Sequence, residues 1–296
     1  MQKRTLGQST LQISEISLGC MSLPPIETEA KQVIAAAIDA GINYYDTADL
    51  YDRGVNEQVV GAALKEHRHN LILASKVGNR WYEGKDGWSW DTSKAYIEQA
   101  VRDSLSRLQT DYLDVYQLHG GTTEDNWEEI IDTFEGLKKE GLIREYGISS
   151  IRPNVFVPFL NNSHAVSNMM QFNIFDERAC EFFEQIKSSG ASVVTRGSLA
   201  KGLLSNEWRE RIKGFMSYEQ SEAKEILLKI EQQFGDVHAA ALAFNLHYDA
   251  VASTVIGARN VEQLNQTLQA YKKAQSFDDV SVILNWTKQD RYTDHR

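Results

Sequence analysis

The feature that most constrains this chain is an alternation. From Glu27 onward, short apolar runs rich in β-branched and aromatic residues recur between amphipathic segments of helical period. Repeats of that kind build a parallel sheet, because each crossover between parallel strands must carry a helix over the sheet face. Strands are expected at 16–18, 44–46, 71–75, 115–118, 144–148, 169–172, 192–195 and 254–256. Helices are expected at 28–40, 55–66, 92–107, 125–139, 153–160, 177–188, 218–233 and 260–271, with an extra segment at 236–247. Eight such units suit a closed barrel, which takes about 250 residues as a rule, and no Pro-rich or low-complexity linker divides the 296 residues. The fold class predicted is therefore α/β, a single-domain (β/α) eight-stranded TIM barrel over about 14–275, followed by a tail at 276–296.

Local signals sharpen the picture. Thr28, Thr92 and Thr123 are expected to start helices, and Gly41, Gly141 and Gly190 stand where a helix must stop and turn into the next strand. The N-terminal RTLGQSTLQI predicts a hairpin around Gly7 to Ser9 that plugs the bottom of the barrel. Two loops are long, 77–90 after the third strand and 199–218 after the seventh, and long loops after strands usually carry function.

Composition closes off several classes. With 31 Lys and Arg against 41 Asp and Glu, the net charge is −10, and no dense basic tract offsets it. Phosphate backbones and anionic lipid would repel such a chain, so neither nucleic acid nor membrane is an expected partner. Cys20 and Cys180 give neither a disulfide framework nor a paired-Cys metal signature, which fits a reducing cytoplasm. The N-terminus lacks an apolar leader core, and runs such as VIAAAI at 33–38 fall far short of a membrane span.

Barrel sites lie at the carboxyl ends of the strands, so the polar or special residues just past each run are the ones to weigh: Gly19, Asp46, Lys76, His119, Ser149, Gln171, Arg196 and Gly257. Each has a bland reading. Asp46 would serve as a helix cap, Lys76 as a snorkelling surface charge, His119 as a satisfied buried imidazole, and Tyr51, just after Asp46, as a rim aromatic. Together, four titratable groups of complementary type on successive units argue for one catalytic site.

The segments YYDTADLY at 44–51, LASKVG at 73–78, DVYQLHGG at 114–121, REYGISS at 144–150 and VIGARNVEQL at 255–264 resemble the aldo-keto reductase family, specifically a bacterial NADPH-dependent branch bearing Arg at the nicotinamide-stacking position. The likeness spans about 6–271. It implies a catalytic tetrad of Tyr51 as proton donor with Asp46, Lys76 and His119. The chemistry agrees with those roles. Hydride addition to a carbonyl develops negative charge on oxygen, which needs an acid within reach, and a Lys ammonium makes a phenol acidic enough to serve. Asp46 would keep that ammonium charged and oriented, and a His119 ring N–H would orient the carbonyl.

Hydride itself must come from a cofactor. No G-x-G-x-x-G follows a strand, and the stretch Gly78 to Asp86 does not make a Walker loop, so a Rossmann or P-loop site is not expected. The resemblance implies NADPH held by the barrel's own loops. Ser149, Ser150 and Gln171 would meet the nicotinamide carboxamide, with Gly19, Cys20, Met21 and Asp46 bordering the ring. Thr195, Arg196, Gly197, Ser198, Leu199 and Lys201 would follow the pyrophosphate. Gly257, Arg259 and Gln263 would reach the adenosine end, where helix N-terminal amides suit phosphate and Arg259 reads the 2′-phosphate. Arg196 stands where many members stack an aromatic residue, and Ser150 where many have Asn; a guanidinium plane can also lie on a ring.

Trp81, Tyr82, Trp88 and Trp90 crowd the loop after Lys76, and at least one of Trp81, Tyr82 and Trp88 is expected to wall the substrate pocket. The span 199–218 is read as a lid over cofactor. No metal set is found. The expectation is an NADPH-dependent, cytoplasmic, monomeric reductase of aldehydes and some ketones. A regulatory NADPH-binding subunit is the alternative, disfavoured by the intact tetrad and the absence of a long N-terminal extension.

Overall fold

The computed structural model describes residues 1–82 and 84–295. Its strands are β1 (Lys3–Thr5), β2 (Gln12–Ser14), β3 (Ile16–Gly19), β4 (Tyr44–Asp46), β5 (Ile72–Val77), β6 (Asn79–Arg80), β7 (Ser89–Trp90), β8 (Leu113–His119), β9 (Ile143–Ser149), β10 (Ser167–Gln171), β11 (Ser192–Arg196) and β12 (Val251–Ile256). Eight of them, in the cyclic order β3-β4-β5-β8-β9-β10-β11-β12, close a parallel barrel. The helices are α1 (Glu27–Asp39), α2 (Val55–Leu64), α3 (Lys94–Leu108), α4 (Trp127–Glu140), α5 (Pro153–Asn161), α6 (Phe183–Ser188), α7 (Trp208–Arg211), α8 (Gln220–Phe234), α9 (Val237–Leu246) and α10 (Val261–Ala274).

Hydrophobic residues recur along the helices because one stripe of each must face the sheet. In α3, Ile97, Val101, Leu105 and Leu108 are buried at helical spacing, and in α4 Ile130, Phe134 and Leu137 are. The barrel interior has its own smaller core, in which Tyr44, Ile72, Ala74, Val115, Met169, Val194 and Ala252 pack together. Leu6 and Ile13 join that inner core, so the β1–β2 hairpin does plug the bottom. Gly7 makes its turn possible. It has φ +53, and a Cβ there would meet the carbonyl oxygens of Val166 and Gly190, the latter at 2.6 Å.

The pleat then places the site. Side chains alternate faces along a strand, so the inward set of β4 is Tyr44 and Asp46, of β5 Ile72, Ala74 and Lys76, and of β8 Val115, Gln117 and His119. Each set is apolar at the bottom and polar at the top. Register aligns the polar layer: Gly19 with Asp46, Lys76 with Gln117, His119 with Ser149, and Gln171 with Arg196.

Two expectations are corrected. The site residues Lys76, His119, Ser149 and Arg196 lie within the last residues of their strands rather than past them. Strands on both sides supply backbone partners whatever the side chain, so the ladder runs on where the apolar run has ended. The threonines do not start the helices. Ser93, Asn126 and Ile26 precede α3, α4 and α1; Ser93 and Asn126 accept from Tyr96 and Glu129 N–H, while Thr92 donates to Asp125 at 2.6 Å. The span 199–218, read as a lid, is anchored by Leu203, Leu204, Trp208 and Tyr218, which are buried in the core, and Tyr218 Oη accepts from Lys288 N–H at 2.6 Å. By contrast, Gly41, Gly141 and Gly190 all adopt positive φ at their helix ends.

Candidate active site

At the top of the barrel, β4 presents Asp46, β5 presents Lys76, β8 presents His119, and a tight turn after β4 presents Tyr51. Lys76 is fully buried, which removes the snorkelling reading. Its ammonium has three N–H donors and three partners: Asp46 Oδ2 at 2.7 Å, the Thr47 carbonyl at 2.7 Å and Tyr51 Oη at 3.2 Å. Asp46 is no helix cap, because its other oxygen accepts from Gln117 Nε2 at 3.2 Å. Burial works to lower the Lys76 pKa, but the Asp46 carboxylate and then Tyr51 outweigh it and hold the ammonium above the ordinary Lys range. Burial raises the Asp46 carboxyl, and Lys76 opposes that rise.

The Tyr51 turn is held from several directions. Asn56 of α2 accepts from Thr47 Oγ1 at 2.7 Å and donates to the Cys20 carbonyl at 2.8 Å, while the Asp49 N–H donates to the Lys76 carbonyl at 3.3 Å. Asp52, Arg53 and Gly54, the three residues after Tyr51, all have positive φ. Backbone strain of that kind persists only where surrounding contacts over-determine it, and it clusters at functional sites. Behind the turn, the fully buried Glu57 accepts from Ser75 Oγ at 2.5 Å and from Arg107 Nε at 2.7 Å.

His119 stands edge-on to Tyr51, ring centroids 6.1 Å apart. It is not a satisfied imidazole, for its buried Nδ1 has no partner among the described residues. Burial, reinforced by the Lys76 and Arg196 charges, pushes its pKa down to about 3. The ring is therefore neutral at physiological pH and holds one N–H donor.

The remaining sequence-predicted residues divide. Arg196, Gly197, Lys201, Gly257, Arg259 and Met21 are exposed on carboxyl-end loops or strand ends, and Gly19, Ser149, Gln171, Leu199 and Gln263 are half-buried there. Arg196 acts electrostatically on both Asp46 and His119, which puts its guanidinium on the mouth side of β11. Gly197 and Lys201 have positive φ within the loop after β11. The Gln263 amide is partly committed, accepting from the Arg259 N–H at 3.0 Å.

Others are buried. Cys20 is fully buried with its Sγ toward the Leu18 carbonyl, and burial raises its thiol pKa far above the ordinary range. Ser150 Oγ accepts from the Arg152 N–H at 3.3 Å, and Thr195 pairs with Thr254 at 2.5 Å, with Ser198 at 3.5 Å. Among the described residues no His, Cys, Asp and Glu cluster could hold a metal ion.

The loop after β5 folds as the short antiparallel pair β6–β7. Trp81 lies under Arg53 at 5.9 Å, beside the Tyr51 turn. Tyr82 lies between Arg80 and Lys85, at 5.0 and 5.2 Å, and Trp88 packs against Trp90 at 5.4 Å. Trp90, which sequence reasoning noted without assigning to the pocket, sits against Gly120, the residue after His119, with Arg152 over its face at 4.7 Å. Its register opposite Asn79 was the missing signal, and that depends on the hairpin. Gln117 and Asp176 were also missed, because each acts on another site residue and carries no motif.

Residues 15–284 match the model of the Aldo/keto reductase family. The chain is 48% identical to an uncharacterized oxidoreductase, YqkF, of Bacillus subtilis (strain 168), over the full length of both. Among solved structures it resembles the aldo-keto reductase AKR11C1 from Bacillus halodurans. The TM-score is 0.92 at 46% identity for the holo form and 0.85 at 44% for the apo form, each covering 100% of this chain and 99% of the other. The chain belongs to the aldo/keto reductase family and is an NAD(P)H-dependent oxidoreductase.

Proposed function

We propose that the protein reduces aldehydes, and some ketones, to alcohols with NADPH, with Tyr51 as the proton donor. The observation that carries this is the Lys76 ammonium, whose three donors are all directed, one of them onto Tyr51 Oη at 3.2 Å. The Tyr51 oxygen accepts from Lys76, so its own proton is left for another acceptor. As that proton moves to a carbonyl oxygen, the developing phenolate is met by a charge already in place. The neutral His119 donates its single N–H toward the same oxygen and fixes the carbonyl's approach.

The residues present fit a phosphorylated dinucleotide. Arg196, Lys201 and Arg259 are exposed cations at the mouth, and none pairs with an acid among the described residues, in a chain of net charge −10. Positive φ at Gly197, Ala200, Lys201 and Gly202 shapes a loop whose backbone can approach a pyrophosphate closely. Ser149 and Gln171 would hold the carboxamide, Arg196 the ring face, and Arg259 the 2′-phosphate. When bound, the dinucleotide supplies hydride to the carbonyl carbon. Trp81, under Arg53 of the Tyr51 turn, and Trp90, against Gly120 next to His119, would wall the substrate. The two free cysteines suit a cytoplasmic enzyme, and the same reading takes it as a monomer.

The test is NADPH oxidation followed against aldehydes, ketones and α-dicarbonyls, in wild type and Tyr51→Phe. The Phe variant should lose about 10²- to 10⁴-fold in kcat while binding NADPH nearly as before, since only the acid is removed. Wild-type kcat in the variant would take Tyr51 out of the mechanism. Tight NADPH binding without turnover of any carbonyl would favour a regulatory subunit.

A further inference from the structure

Gln171 ends β10 at the barrel mouth, level with Arg196. The two ends of a glutamine amide are alike in shape, so its neighbours decide which end faces a ligand. Here one neighbour is Asp176, whose Oδ2 accepts from Gln171 Nε2 at 2.7 Å. An ionised carboxylate can only accept, so the amide nitrogen must face Asp176 and Oε1 must face the opening. Oε1 indeed lies 3.4 Å from the exposed Arg196 Nη1.

Asp176 is itself locked. Its side chain is 1% exposed, and Arg178 grips it as a fork, Nε to Oδ1 at 2.7 Å and Nη2 to Oδ2 at 3.0 Å. The backbones of Asn173 and Asp176 exchange hydrogen bonds at 3.2 and 2.9 Å, and the Tyr292 ring covers the Arg178 guanidinium at 4.8 Å. A buried ion pair is weak evidence for stability, because desolvation opposes the Coulomb gain, but it does fix orientation. The tetrad chemistry makes no use of it.

We infer that Asp176, locked by Arg178, is a positioning residue that presents Gln171 Oε1 as an acceptor, and thereby selects dinucleotides whose nicotinamide ring carries an amide N–H. This rests on the reading that the site takes a nicotinamide dinucleotide. Gln171 contacts the ligand; Asp176 acts only through it.

The experiment compares Kd for NADPH with Kd for its 3-acetylpyridine analogue, in which a methyl replaces the amide nitrogen, using quenching of tryptophan fluorescence. Wild type should prefer NADPH by roughly tenfold, the effect of one well-placed hydrogen bond. Asp176→Asn can donate to Gln171 and turn its amide, so the preference should fall below about twofold. Gln171→Ala should remove the preference, and Asp176→Asn added to Gln171→Ala should change the ratio no further. If Asp176 merely supports the fold, both ligands weaken alike and the ratio stays at its wild-type value, which overturns the inference. So does a wild type that does not discriminate. Should Asp176→Asn fail to fold, Arg178→Lys keeps the charge but loses the fork, and an unchanged ratio there is equally fatal. Failure of wild type to bind either dinucleotide would be a different result, removing the cofactor reading and the inference with it.

Discussion

Lys76 shows how far one buried side chain can organise chemistry. Each of its N–H donors has an acceptor, so the ammonium is held without freedom to rotate and its charge stays on Tyr51. The neutral state of His119 follows from burial first, and the Lys76 and Arg196 charges beside it add to that. Arg259 is the residue on which cofactor choice should turn. It is exposed, heads the turn into α10, and has no acid partner among the described residues. Arg259→Ala should weaken NADPH by about tenfold to a hundredfold, the loss of a charge-assisted contact to the extra phosphate, and leave NADH nearly unchanged. Titrating both dinucleotides decides it; equal weakening would show that Arg259 reads a part they share.

At the scale of elements, the N-terminal hairpin and the top layer are two ends of one construction. β1 and β2 place Leu6 and Ile13 against the inner core, and that core supports the strands whose next inward residues are Asp46, Lys76 and Gln117. The turn between them admits only a residue without Cβ. Gly7→Ala should destabilise the protein by about 1–3 kcal/mol through strain and overpacking. Thermal unfolding should shift down by a few degrees while kcat per folded molecule holds, because the turn lies at the far end from the tetrad. A wild-type Tm would mean that the hairpin lifts off the barrel at little cost. The β6–β7 pair is the other added element. It brings Trp90 to Gly120.

For the whole molecule, buried titratable groups oppose one another in pH. His119 and His238 are pushed down to about 3 and about 4 by burial, so they bind protons mainly when unfolded, and stability from them is lost as pH falls below their ordinary 6.5. Asp49 is pushed up to about 7 by burial and by nearby Glu57, and Glu177 to about 7 by burial. Those carboxyls hold protons in the folded state that the unfolded chain releases, so stability from them is lost as pH rises toward 7. The two pairs largely cancel between pH 4 and 6.5. Asp49→Asn removes one carboxyl, so relative to wild type it should gain stability with rising pH by up to about 1.4 kcal/mol per unit through that window. Urea unfolding at several pH values reads the difference, and a difference independent of pH would show that Asp49 is ionised in the folded protein.

Much of this was legible in the chain itself. Alternating period-two and helical patterns define eight βα units because burial demands them locally, and glycines at 41, 141 and 190 mark helix ends because a left-handed backbone favours a residue without Cβ. Asp46, Lys76 and His119 were readable as polar residues ending apolar runs, since a barrel sends strand ends to one rim, and Tyr51 as the residue in the loop just after Asp46. What only the tertiary structure decided are the contacts between units. Strand ladders carried Lys76 and His119 inside their strands, packing buried Cys20, Ser150 and Thr195, and the 199–218 span was anchored by its own buried Leu, Trp and Tyr residues. The fork from Arg178 to Asp176, and from there to Gln171, has no periodicity and no motif. Its partners are neighbours within one turn, but which amide end faces out depends on a charge buried only once the barrel has closed, and burial is a property of the whole fold.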